Sequence, residues 1–127
     1  MKYILSLILT FCVFSASIYA AELEQISDFE KAKEYAEEND MLVLAIFTAD
    51  WCKYCKPLEQ EVLNRMDEIN DKGYVVCLID YDSNRDLARQ FRVDSVPTTI
   101  RFVSDRQYNR KVGYSGYANY GAFLNAK

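Results

Sequence analysis

The stretch from Met41 to Lys56, "MLVLAIFTADWCKYCK", decides how this chain is read. Its opening run, Met41 to Phe47, is apolar throughout and rich in branched side chains. A run of strand length without polar alternation predicts a strand covered on both faces, as at the centre of an α/β sheet. It leads almost directly into Cys52 and Cys55. From Cys52 to about Met66, the residues Leu58, Val62, Leu63 and Met66 recur every three to four positions. A helix is expected there, with the cysteine pair at its N-terminus.

Upstream, "ELEQI" (Glu22 to Ile26) alternates polar and apolar residues and reads as a short edge strand. Ser27 and Glu30 have the spacing of a capping box. Phe29, Ala32 and Ala36 then repeat at helical spacing, giving a helix to about Glu38 that stops at Asn39-Asp40. Downstream, Asp71-Lys72-Gly73 marks a turn and "YVVCLID" (Tyr74 to Asp80) a second buried strand. Ser83 to Val93 reads as a capped helix with Leu87, Ala88 and Phe91 inward. "SVPTTIRFVS" is a strand entered through Pro97, "RKVGY" its partner, and "YANYGAFLNA" a closing helix. The order β-α-β-α-β-α-β-β-α predicts an α/β fold, a central mixed sheet flanked by helices on both faces.

The first twenty residues, "MKYILSLILTFCVFSASIYA", stand apart from this plan. Lys2, an apolar run and small residues near Ala20 have the three-part layout of an export signal. Residues 1–20 are therefore read as a cleaved signal and 21–127 as one domain, with a retained anchor as the alternative. The run from Tyr3 to Phe14 is short for a membrane crossing. Cys12 lies inside the segment and should leave with it. A bacterial periplasm is the simplest destination, and no membrane contact is expected once the signal is removed.

The full chain of 127 residues carries a net charge of −4, with no histidine. Every mechanism that needs imidazole is excluded. No Arg/Lys run or basic patch invites nucleic acid. With Cys12 removed, Cys52, Cys55 and Cys77 remain, too few for a disulfide framework. One bridge plus one thiol is the natural count for an exported chain. Cys77, inside a buried strand, reads as an inert small hydrophobe, with a second redox role as the alternative.

Three readings compete for the Cys52/Cys55 pair. Zinc wants about four N/S ligands, and three cysteines without histidine do not supply them. A purely structural disulfide closing so small a loop restrains little chain entropy. Redox exchange fits better. At a helix N-terminus the unpaired amides and the helix dipole favour a thiolate, so Cys52 is expected to act as nucleophile. Lys53 pushes the same way and Asp50 opposes it. Cys55, nearly a turn further on, is close enough to close the disulfide and resolve the intermediate.

"FTADWCKYCK", followed about 40 residues later by "SVPT" and then by "KVG" before the last helix, resembles thioredoxin over nearly the whole mature chain. "WCKYCKPLEQEVLN" is also similar to exported thioredoxin-like proteins and to the C-terminal domain of the membrane thiol reductase of the periplasm. The resemblance implies the thioredoxin fold for residues 21–127. It implies that Pro97 is cis and faces the cysteines, that the Val96 backbone pairs with the substrate chain, and that Trp51 shapes the docking surface. This sequence departs from the family at the buried acid before the motif, here Ile46, and at its lysine neighbour, here Val76. Proton transfer at Cys55 must then use water or another carboxylate, and Glu59, one helical turn on, is the candidate.

Between the cysteines stand Lys53 and Tyr54, without the histidine that oxidants and isomerases of this fold often place there. Such a pair is expected on the reducing side. The chain is accordingly expected to be a periplasmic thiol–disulfide oxidoreductase that reduces protein disulfides and is fed by an upstream thiol donor. No cofactor beyond its own disulfide and no metal are expected, and a monomer is the default. An oxidant or isomerase, and a non-enzymatic binding module with a structural disulfide, are the alternatives. Tyr54, Tyr114 and Tyr117 are weighed as a partner surface against ordinary amphipathic packing.

Overall fold

The computed structural model describes residues 26–126. The expected signal at 1–20, its cleavage after Ala20 and most of the edge strand expected at 22–26 lie outside the described residues. Within them, Ile26 makes a single parallel bridge to Cys77. The elements are α1 (Phe29–Glu38), β1 (Leu42–Thr48), α2 (Cys55–Asn64), α3 (Met66–Asp71), β2 (Tyr74–Asp80), α4 (Arg85–Gln90), β3 (Thr98–Val103), β4 (Arg106–Val112) and α5 (Tyr117–Asn125).

The sheet runs β2-β1-β3-β4. β1 pairs parallel with β2 from Leu42↔Tyr74 to Thr48↔Asp80 and antiparallel with β3 from Val43↔Phe102 to Phe47↔Thr98. The apolar run therefore occupies an interior position, as its lack of alternation requires. Successive side chains point to opposite faces. Val43, Ala45 and Phe47 join Val75, Cys77 and Ile79 under α1 and α4. Leu44 and Ile46 join Val76, Leu58, Val62 and Tyr120 under α2, α3 and α5. This is the mixed sheet with helices on both faces.

Three local readings change. Asp28, not Ser27, caps α1, its carboxylate accepting from the Glu30 and Lys31 amides at 3.0 and 3.2 Å. An aspartate one residue closer to the helix displaces the serine from the cap position. The helix expected over 52–66 begins at Cys55 and breaks at Arg65, whose φ of −115° leaves the helical range. The Arg65 side chain there pairs with Glu61 and Glu68 and lies 4.0 Å from the Tyr117 ring centre. The helix expected over 83–93 is confined to Arg85–Gln90, closed by Arg92 at φ +54°.

Candidate functional site

Because β1 and β2 run parallel and end at the same level, the segments that follow Thr48 and Asp80 lie side by side. The first carries the cysteines. Cys52 sits in the turn before α2, its amide donating to the Ala49 carbonyl at 3.1 Å, and Cys55 is the first residue of the helix. The two are joined as a disulfide with their Cα atoms 5.3 Å apart. Cys52 is 6% exposed and Cys55 fully buried, so the first cysteine is the more accessible of the two. No side chain caps α2. The amides of its first turn thus have no side-chain acceptor, which leaves them to favour negative charge at the sulfurs before them.

The third wall comes from the segment before β3. The Val96–Pro97 peptide bond is cis, and Val96 packs against Ala49, Cys52 and Cys55. The Thr98 hydroxyl donates to the Ser95 carbonyl at 2.8 Å, and the Gly113 amide donates to the Pro97 carbonyl at 2.8 Å. The turn is thereby fixed from both sides.

Trp51 is 67% exposed and so is no core residue. Its indole N–H donates to Asp82 at 2.7 Å. Asp82 in turn accepts from Arg85 at 2.6 Å, and the Arg85 guanidinium lies 4.4 Å from the centre of the Tyr81 ring. Tyr81 packs against the cysteine cluster, its amide bound to the Thr48 carbonyl at 2.8 Å. Tyr81, Asp82 and Arg85 escape the sequence reading. The available signal was "YDSNRD" directly after the buried strand read at Tyr74–Asp80.

The residues assigned to tuning are spread more loosely. Lys53 and Tyr54 are exposed, the Lys53 ammonium 5.9 Å from the Tyr54 ring centre. Asp50 points fully into solvent, 3.7 Å from the Lys56 ammonium, which also lies 3.6 Å from Glu59. Glu59 is mostly buried and lines a cleft of about 500 Å³ with Ala49, Asp50 and Asp80. Ile46 and Val76 sit in the apolar layer beneath, so no charge stands at either position. Tyr114 and Tyr117 lie on the α5 side, Tyr117 donating to Glu68, away from the cysteines. Tyr54 remains near the pair, with 59% of its surface exposed. Cys77 is buried and free, and burial pushes its thiol up to about 12, so it stays protonated at neutral pH. Among the described residues no group of carboxylates and cysteines is arranged to hold a metal ion. No described helix is long and apolar enough to cross a membrane.

Comparison with known proteins places this arrangement in a large group. The family model described as "Thioredoxin" matches residues 23–125. Thioredoxin-1 of Drosophila yakuba is 34% identical over 96 residues, covering 76% of this chain and 84% of that protein. A protein disulfide isomerase-like protein of Arabidopsis thaliana is 36% identical over 66 residues, 52% of this chain but only 11% of that much longer protein. Among solved structures, a thioredoxin variant from Halobacterium salinarum superimposes with a TM-score of 0.65 at 30% identity. It covers 79% of this chain, which spans 85% of the other.

Proposed function

The chain belongs to the thioredoxin family and is a thiol–disulfide oxidoreductase; from that premise we propose that it is exported to the periplasm and there reduces protein disulfides. The observation that carries this reading is the Cys52–Cys55 pair at the uncapped start of α2, with the more accessible cysteine first. In the reduced enzyme the Cys52 thiolate attacks one sulfur of a client disulfide, and the other client sulfur leaves as a thiolate. Cys55, once deprotonated, attacks the Cys52 sulfur of the mixed disulfide. The second client thiolate departs, the client gains two electrons, and the enzyme is left as the disulfide. An upstream thiol donor must then restore the dithiol.

Val96, Pro97 and Trp51 form the docking edge in this proposal. Among the described residues, the Val96 amide and carbonyl make no backbone hydrogen bond, which leaves both for an extended client segment. The Asp82 contact holds the Trp51 ring beside the cysteines. A monomer suffices for this chemistry, and nothing in it calls for a metal or a separate cofactor.

Reduction rather than oxidation is supported by what surrounds Cys52. No imidazolium is available in a chain without histidine, and Asp50 and Lys56 nearby are exposed. A thiolate with only helix amides and Lys53 to stabilise it makes a more reducing pair than one held by further cations. Alkylation of free thiols in intact cells tests the direction. The pair should be found mostly reduced, in a protein recovered from the periplasm without residues 1–20. A mostly oxidised pair overturns the direction, and a cytoplasmic protein that keeps those residues overturns export.

Resolution requires a proton to leave Cys55, and Ile46 and Val76 give it no acceptor. Glu59, in the cleft that reaches Ala49, is the carboxylate assigned to this step, through water in the cleft. Glu59→Gln should slow release of the mixed disulfide by about tenfold while leaving the first attack unchanged. Single-turnover kinetics separates the two steps, and equal release rates remove Glu59 from the mechanism.

A further inference from the structure

At the end of the sheet opposite the cysteines lies a cavity of about 430 Å³, a volume typical of small-molecule sites. Leu42, Val103, Tyr108 and Leu124 give it apolar walls, and Lys72 and Arg101 supply its charges. Among the described residues no acidic side chain lines it, in a chain whose net charge is −4.

Arg101 is the unusual member. It is 2% exposed, on the interior strand β3. Its Nη1 donates to the Tyr74 hydroxyl at 3.0 Å and to the Ala126 carbonyl at 2.6 Å. Its Nε and Nη2 are buried and, among the described residues, have no hydrogen-bond partner. No carboxylate is paired with it there. The rings of Phe123 and Tyr108 flank it, at 4.8 and 5.1 Å from the guanidinium carbon. Ring contacts return less than two uncompensated charged donors cost. The arrangement therefore calls for an anion.

The geometry of the vacant donors says which anion. Nε and Nη2 lie on one edge of the guanidinium plane, and that edge is the fork that takes a carboxylate through two parallel hydrogen bonds. Tyr108 is the flanking ring on the outer strand β4, and it is the residue skipped by the sheet register. Arg101 pairs with Asn109 and Phe102 with Gln107, which leaves Tyr108 as the extra residue of a bulge. Bulges of this kind re-aim a side chain. Here the side chain is half exposed and on an edge strand, so it is the wall free to swing outward.

We propose that this cavity binds a monocarboxylic acid with an apolar body, its carboxylate on the Nε–Nη2 edge of Arg101 and its hydrocarbon against Leu42, Val103 and Leu124, with Tyr108 displaced. Lys72 at the cavity adds attraction for the anion, offset in part by Glu68, 3.7 Å from its ammonium. The site is independent of the cysteine chemistry.

Calorimetric titration of the purified chain with sodium octanoate tests it, with 1-octanol as the uncharged control. Octanoate should bind at one site, and octanol at least about tenfold more weakly. Arg101→Met should weaken octanoate binding by roughly a hundredfold in a protein whose circular dichroism matches the parent. If Arg101→Met does not fold, Val103→Trp, at an exposed wall position, decides. It should narrow the cavity and lower affinity by about tenfold or more. No saturable binding, equal binding of octanol, or unchanged affinity in whichever variant folds overturns the site.

Discussion

Replacing Cys52 by serine is expected to lower catalysed reduction of a protein disulfide by on the order of 10³-fold or more, to the level of the added dithiol alone. A serine hydroxyl at neutral pH is neither ionised nor able to form the mixed disulfide. Stability should change little by comparison, because the lost bridge closes a loop of sequence separation 3. Cys55→Ser should fail differently. Its first attack survives, since Cys52 is the more accessible cysteine, but nothing resolves the product. A covalent adduct with the client should accumulate and disappear on adding strong reductant, as a non-reducing gel would show. If Cys52→Ser kept exchange while Cys55→Ser lost it, the roles of the two sulfurs would be reversed. If both kept it, the pair would be structural and the oxidoreductase reading lost.

The second large effect concerns the core. Phe102 is fully buried, and its ring meets Phe91 and Phe29 edge-on at 4.7 and 4.9 Å. These contacts join α1, β3 and the end of α4. Phe102→Ala should cost about 3–5 kcal/mol, the lost transfer energy plus the cavity left under two helices. For a domain of this size that corresponds to a fall in Tm of roughly 15–30 °C. Neighbouring Val103 is 47% exposed and faces the other way, so Val103→Ala should change stability by less than about 0.5 kcal/mol. Denaturant unfolding with unchanged m-values checks both. A Phe102→Ala protein as stable as the parent would mean that the aromatic trio does not anchor the first helical layer.

Much of this architecture is readable from one dimension because its strongest signals are local. The apolar run at 41–47 differs from β1 by one residue at each end, and the strand read at Tyr74–Asp80 matches β2 throughout. Burial on both faces leaves no room for polar residues, so such strands announce themselves. The cysteine pair is legible for the same reason, standing between a buried strand and a periodic helix. What stays hidden depends on contacts across the chain. Asp82 meets Trp51 over 31 residues, and only the parallel register brings them together. Where the helix breaks at Arg65, that side chain meets acids on either side and a ring from α5. Arg101 reads in sequence as an ordinary polar position in a strand. Its burial follows from a bulge in β4 and from α5 crossing over it, and neither leaves a pattern in the residues.

β4 closes the sheet on the side away from β2 and carries Arg106, Arg110 and Lys111. Arg110 is also spent on the Phe91 and Arg92 carbonyls beyond α4. An open strand rim is a template on which another molecule can extend the ladder. A second copy adding its own rim here would bring cation against cation, so this border discourages runaway stacking. The deterrent is coulombic, and its strength falls as ionic strength rises.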